Sequence, residues 1–403
     1  MNCFSFALSS TLGYKKFHKL AGVMRISFMY SGYAKLYHFV ADSNLIFVIY
    51  CYVTFRYSLY KMQCILIKKN LLFDFIQGMT LSDFNKLDFD MILMSPPCQP
   101  FTRIGLQGDV NDPRTKSFLY ILDILPRLNK MPRFILLENV KGFETSSARN
   151  ALIKTLQDCS YNFQELMISP TCLGIPNSRL RYFLIAKAPP DSFSFQKTAE
   201  ILEGFPKSDS SFDTDSPTIP DSHCSTVNGD MREDETIIYK METAQELERK
   251  RSQDNEQTVR RLQDFLQEEV QGTDMDSYLL PPKILLRYAL LMDIVNPNCR
   301  RSVCFTKGYG HYVEGTGSVL QSCTDVELDS IFKSLDALSE EEKLEQLSRL
   351  KLRYFTPREI ANLMGFPPHF SFPSNISTKQ QYRVLGNSLN VHVVAKLISL
   401  MVS

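Results

Sequence analysis

The chain has 403 residues, 44% of them hydrophobic and 22% charged, with a formal net charge of +1. That length suits two domains or one domain with a large insertion, and the composition is that of a folded protein, so a lone small module and a disordered or fibrous chain are excluded. With the charges almost balanced, a nucleic-acid partner would have to be held by a local basic patch.

Residues 1–75 are rich in Tyr and Phe and strewn with Lys and Arg, and Asp42 is their only acidic residue before Asp74. The apolar run 45–55 is shorter than the roughly 20 residues a membrane-spanning helix needs, and no signal-peptide pattern precedes it. A soluble chain with no membrane partner is expected. The ten cysteines contain no CxxC pair, and Cys299 and Cys304 have no histidines at zinc-site spacing, so no metal is expected. Free thiols point to a reducing compartment, cytoplasmic or also nuclear.

A regular pattern starts after Asp74, with a short helix over 80–86 and a buried strand over 89–94. Ser95-Pro96-Pro97-Cys98-Gln99-Pro100 follows. Two prolines fix φ and stop the strand, which holds the Cys98 thiol on a stiff loop at a strand's carboxyl end, where open α/β sheets bind ligands. Cys98 is either a presented nucleophile or an ordinary small apolar residue. A helix over 117–128 leads to a strand over 134–137 that ends in Glu138-Asn139-Val140, and Gly142 breaks the chain. A helix over 151–158, an extended segment over 163–169 and a strand over 181–186 complete a βα alternation, which predicts an α/β fold with a parallel, helix-covered sheet.

Parallel strands bring their carboxyl ends to one edge, so Glu138 and Cys98 can meet. A carboxyl at a partly apolar strand end can serve as a proton donor near neutral pH. Alone, Glu138 reads as readily as a solvated strand terminus. Arg179 and Arg181, two apart at the start of a strand, point to one face and can orient an anion, polarise a carbonyl or activate a thiol; solvated edge arginines are the alternative.

From 189 to 235 the chain fills with Ser, Asp, Pro and Thr, which predicts a disordered insertion near 206–236. Beyond it, 241–269 is charged and helix-prone, and Pro281-Pro282 opens an amphipathic run over 284–295. Ser339-Glu340-Glu341-Glu342 and Thr356-Pro357-Arg358-Glu359 are capping boxes, and Asn387-Ser388 precedes a final helix over 389–401. The stretch 299–312 interleaves cations, aromatics and glycines, which suits phosphate contact and base stacking on single-stranded RNA, or simply a solvated loop.

In this order, Pro96-Pro97-Cys98-Gln99, Glu138-Asn139-Val140, Arg179-Leu180-Arg181, Cys304-Phe305-Thr306 and Gly386-Asn387-Ser388-Leu389 resemble the cytosine-5 methyltransferases, and the Cys-Phe-Thr triplet resembles their eukaryotic tRNA-acting branch. The likeness runs from about Met79 to the C-terminus. It implies a Rossmann-like class I methyltransferase domain over 76–188 and 335–403, interrupted by a smaller target-recognition domain over 189–334. It also implies methylation of carbon 5 of a cytosine in the anticodon loop of tRNA, aspartate tRNA by resemblance. Cys98 would be the nucleophile and Glu138 the group at ring nitrogen 3, with Arg179 and Arg181 supporting the base carbonyl and the thiol. S-adenosylmethionine would be the cofactor, with contacts at Pro96, Asn387 and Ser388. Arg301, Cys304, Phe305, Thr306 and Lys307 would meet the RNA.

The family opens with a strand and a glycine-rich loop around the cofactor. Here Met29-Tyr30-Ser31-Gly32 resembles the start of that loop, but Tyr33-Ala34-Lys35 follows, and the run 45–55 leads to Arg56 rather than to an acid. Residues 1–75 therefore read as a divergent, incomplete cofactor-binding part. The rival readings are a DNA cytosine-5 methyltransferase with DNA as substrate, and a catalytically inactive RNA-binding relative. A cysteine hydrolase is disfavoured because His311, His369 and His392 lie in no triad setting.

Overall fold

The computed structural model describes residues 23–29, 34–41, 47–55 and 58–67 as backbone, and 78–87, 89–97, 109–206, 244–267, 275–312, 315–373 and 375–403 in more detail. The chain divides into two compact units, one of Met1–Phe163, Tyr182–Ser192 and Met401–Ser403, the other of Gln164–Arg181 and Phe193–Leu400. The predicted insertion lies almost wholly outside the described residues.

The first unit opens with β1 (Val23–Met29), β2 (Ala34–Ala41), β3 (Phe47–Phe55) and β4 (Ser58–Ile67), each antiparallel to its predecessor. The sequence reading found no regular pattern before Asp74. The composition nevertheless favours strands: Phe47–Phe55 is Phe-Val-Ile-Tyr-Cys-Tyr-Val-Thr-Phe, β-branched and aromatic almost throughout. Then come α1 (Leu81–Leu87), β5 (Met91–Met94), α2 (Lys116–Ile124), β6 (Phe134–Val140), α3 (Ser147–Asp158), β7 (Asn162–Ile168), which from Gln164 on belongs to the second unit, and β8 (Arg181–Lys187).

β4 and β5 run parallel, with Ile65 opposite Ile92, and β5 and β6 run parallel, with Ile92 opposite Ile135. The strand order through this unit is β1-β2-β3-β4-β5-β6-β8. Met91 to Met94 and Phe134 to Leu137 are all buried, the uninterrupted apolar runs expected of parallel strands covered on both faces. α3 buries Ala148, Leu152 and Leu156 at a spacing of four, one stripe of a helix. The 117–128 helix stops early: Leu125–Arg127 tightens to a 3-10 turn, because Pro126 has no N–H to donate. α3 starts earlier than expected, with Ser146 Oγ accepting from the Arg149 N–H at 3.0 Å.

The second unit holds α4 (Ala244–Asn255), α5 (Pro282–Tyr288), β9 (Ile294–Val295), β10 (Val319–Gln321), α6 (Leu328–Ser334), α7 (Glu340–Arg349), β11 (Leu352–Tyr354), α8 (Pro357–Leu363) and α9 (Thr378–Gly386). α10 (Val391–Val402) follows and ends in the first unit. β10 pairs antiparallel with β11 and parallel with β9. Leu285, Ile331, Leu347, Leu350 and Leu352 pack in one buried cluster beside this small sheet.

Among its described residues the helix-prone 241–269 is α-helical only over α4, and the 284–295 run ends as a helix at Tyr288 and finishes as β9. Both capping boxes are formed. The last helix begins later than its Asn-Ser signal. Asn387 closes α9 instead, and Asn390 Oδ1 accepts from the N–H groups of His392 and Val393, both at 3.1 Å. Residues 335–400, grouped by sequence with 76–188, belong by compactness to the second unit, where Tyr382 bonds Phe355 and Arg353 pairs with Glu359.

Candidate active site

Within the first unit, β5 and β6 pair in register as far as Met94 opposite Leu137, and Ser95 and Glu138 are the residues that follow them in the chain. Glu138 is buried at 7% exposure, and the Ser95 hydroxyl donates to its Oε2 at 2.6 Å. Beside it Asn139 Nδ2 donates to the Pro96 carbonyl at 3.4 Å. The backbone that leads to Cys98 is thus tied to the strand end that carries Glu138, and the carboxyl is oriented by a hydroxyl. Cys98 itself lies outside the described residues.

Within the second unit the centre is Arg179, which is buried. Its Nη1 donates to Cys304 Sγ at 3.0 Å and to the Phe305 carbonyl at 3.2 Å, and its Nη2 donates to the Gly386 carbonyl at 3.2 Å and the Ser388 carbonyl at 2.7 Å. Arg181 Nη2 approaches the same sulfur at 3.8 Å. Local pairing builds this arrangement: Asn177 Nδ2 donates to Ser302 Oγ and to the Val303 carbonyl, both at 3.1 Å, and the Ser178 N–H donates to the Ser302 carbonyl at 2.8 Å. The turn before Arg179 is thereby zipped to the irregular segment before Cys304. Gly386 closes the far side, where a Cβ would lie 2.2 Å from the Lys307 nitrogen, so only glycine fits.

Burial pushes the Cys304 thiol up, but the charges of Arg179 and Arg181 outweigh it and hold the thiol below the ordinary cysteine value. A thiol with a fork of guanidinium donors is a charge-assisted pair able to hold negative charge in a buried setting. Sequence reasoning placed Cys304 with the RNA contacts and missed that it is the partner of both arginines, 125 and 123 residues away in the chain. It also missed Ser95, although a hydroxyl one step beyond a strand paired with the one that carries Glu138 is a usable signal.

The remaining predicted residues fall elsewhere. Arg301 is buried at 7% exposure, with Nη1 on Asp293 Oδ1 at 2.7 Å and Nε 3.4 Å from Asp254 Oδ2. It is a scaffold residue rather than an RNA contact, because a guanidinium sealed between two carboxylates has no face left for phosphate. Phe305 is buried against the rings of Tyr309 and Phe355 at 5.0 and 5.2 Å, and the Thr306 N–H donates to the Thr316 carbonyl at 2.8 Å. Lys307 is exposed.

Of the residues assigned to the cofactor, Ser388 gives its hydroxyl to the Val384 carbonyl and its own carbonyl to Arg179, and the Pro96 carbonyl is taken by Asn139. These committed atoms do not by themselves cradle a nucleoside, and the stretch Tyr30 to Tyr33 that resembles the glycine loop lies outside the described residues.

The profile of the C-5 cytosine-specific DNA methylases matches residues 53–403. The chain is 58% identical to a tRNA (cytosine(38)-C(5))-methyltransferase of Bos taurus over 81% of this chain and 85% of that protein. It is 57% identical to the protein of the same name from Homo sapiens, with the same coverage. Among solved structures, a DNMT2 variant of Spodoptera frugiperda matches with a TM-score of 0.61 at 36% identity, covering 81% of this chain and 84% of that one.

Proposed function

Because the chain belongs to the C-5 cytosine-specific DNA methylase family, we propose that it methylates carbon 5 of a cytosine in the anticodon loop of tRNA. The observation that carries the substrate is the 58% identity, over 81% of the chain, to a relative named for cytosine 38 of tRNA. That identity favours tRNA over DNA as the substrate.

In this reading the Cys98 thiolate adds to the electron-poor carbon 6 of the ring. Glu138, oriented by Ser95, places a proton on ring nitrogen 3 and draws charge away from the ring. Arg179 and Arg181 hold Cys304 and the surrounding carbonyls fixed and present positive potential toward the base carbonyl. Addition at carbon 6 makes carbon 5 nucleophilic. S-adenosylmethionine, the cofactor the family implies, supplies an electrophilic methyl group when bound. Loss of the carbon 5 proton afterwards expels Cys98 and restores the aromatic ring. None of these atoms is reachable in a stacked base, so the target must be unstacked or lie in a loop.

The test is transfer of labelled methyl from S-adenosylmethionine to tRNA, with Cys98→Ala as control and DNA as competitor. Transfer to tRNA that disappears in Cys98→Ala and survives excess DNA is the expected result. Transfer to DNA alone would make DNA the substrate, and bound but unmodified tRNA would make the chain an inactive RNA-binding relative.

A further inference from the structure

Resting on the tRNA reading above, we propose that Tyr312, with His311 beside it, forms a stacking platform for an unpaired RNA base.

Among the described residues, Tyr312 is 64% exposed, against 36% for Leu180 and 37% for Leu279, the other exposed large apolar side chains. A scattered surface aromatic is ordinary, but this one is built in. Its ring lies on Gly308, where an added Cβ would come within 2.9 Å of Tyr312 Cδ2, so the absence of a side chain lets the ring settle against the backbone. Its main chain is fixed on both sides: the Tyr312 N–H donates to the Gly308 carbonyl at 2.9 Å, and the Thr316 hydroxyl donates to the Tyr312 carbonyl at 2.8 Å. The His311 ring sits 4.7 Å away at 64°. One part of the tyrosine is seated and the rest is open to solvent, next to a second aromatic ring.

The base of the loop is anchored. Tyr309 is buried at 2% exposure, donates its hydroxyl to the Ser318 carbonyl at 2.6 Å, and accepts from the Phe355 N–H at 2.9 Å. Between this pillar and the platform stands Gly310 at φ 73°, in the left-handed region, which turns the chain from the buried Tyr309 to the exposed pair. The exposed Lys307 is one residue before Gly308 and supplies a cation for the backbone of the same strand. An anchored aromatic with few rotatable bonds and a neighbouring ammonium is the combination that binds single-stranded nucleic acid by stacking and charge. Duplex RNA offers no free base face to such a surface.

The chain contains no tryptophan, so Tyr312→Trp introduces a single indole whose emission a stacked base quenches. The probes are a tRNA anticodon stem-loop and a fully paired RNA duplex of equal length. The expected result is quenching by the stem-loop and not by the duplex. Tyr312→Ala is expected to raise the KM for tRNA about 10-fold with kcat within about twofold, and Tyr312→Phe to restore it, the scale of one lost base–aromatic stack. Unquenched emission while the stem-loop demonstrably binds, or an alanine variant with parental KM, would overturn the platform and leave the methyltransferase reading standing. A parent chain that neither binds nor methylates tRNA would overturn that reading, and the platform with it.

Discussion

Arg301 and Arg179 are both buried in the second unit, at 7% and 6% exposure, yet their guanidiniums meet different partners. Arg301 lies between the carboxylates of Asp293 and Asp254, and Asp293 also takes Lys250 at 2.9 Å and the Ser318 hydroxyl at 2.5 Å. Arg179 meets a thiol and three main-chain carbonyls. A carboxylate stays ionised across the physiological range, so the first cluster is a fixed joint. A thiol titrates much nearer neutrality, so the charge beside Arg179 can change with conditions. The family resemblance assigned both arginines to function; what separates them is the partner.

The largest expected effect breaks the fixed joint. Asp293→Ala leaves the buried Arg301 and the half-buried Lys250 beside an empty carboxylate position and is expected to cost about 3–5 kcal/mol, the scale for removing one member of a buried ion pair. The urea midpoint of unfolding measures it, and a loss below about 1 kcal/mol, the scale of an exposed pair, would show that the cluster is not a joint. Burial raises the Asp293 carboxyl, but Arg301, Ser318 and Lys250 together hold it below the usual carboxylate value. Its stabilisation is therefore complete above the unfolded value of about 3.9 and is lost only as pH falls through the lower folded value. Parent and variant should differ by a constant amount near neutral pH and converge only in strong acid.

Next in size is the loss of charge from the adjustable cluster. Arg179→Gln should lower the methyl-transfer rate by about 100-fold, the scale for removing one fixed donor from a site that stabilises developing charge. The fold would be checked by circular dichroism. In the same variant Cys304 should react with an alkylating reagent only at higher pH than in the parent, because one of the two arginines that hold its thiol low is gone. Cys299, whose thiol burial pushes up, is an internal reference in a mass-mapped digest. Were Asp293→Ala to move the alkylation pH of Cys304 as far as Arg179→Gln does, the contrast between fixed and adjustable clusters would collapse.

That contrast also marks what the chain reveals in one dimension. The central strands were legible because parallel strands buried on both faces must be apolar throughout, and the capping boxes because their geometry is local. Glu138 was legible as a polar residue closing such a run. Arg301 was misread because its acidic partners stand 8 and 47 positions away, at Asp293 and Asp254, and nothing in its neighbourhood signals them. Cys304 was picked out without its arginine partners, since the guanidiniums that lower its thiol come from a segment more than 120 residues earlier. The final helix was started too soon because Asn387-Ser388 carries a cap signal as good as that of Asn390. Only the bonds that Asn390 Oδ1 accepts from the N–H groups of His392 and Val393, while Asn387 closes α9, settle which asparagine caps α10.

Ser318 joins the two clusters and gives the smallest and most discriminating prediction. Its hydroxyl donates to Asp293 Oδ2 and accepts from the Val303 N–H at 2.9 Å, one residue before Cys304. Ser318→Ala deletes both bonds without adding volume and should cost about 1–3 kcal/mol, the scale for leaving a buried polar group unmatched, read from the same urea midpoint. If the fixed joint holds the loop that carries Cys304, Ser318→Ala will also shift the alkylation pH of Cys304, by less than Arg179→Gln. If stability falls while the alkylation profile stays in place, the bonds of Asn177 to Ser302 and Val303 are enough to hold Cys304 on Arg179. The turn that delivers the arginine would then be what positions the thiol, and the carboxylate joint would contribute stability alone.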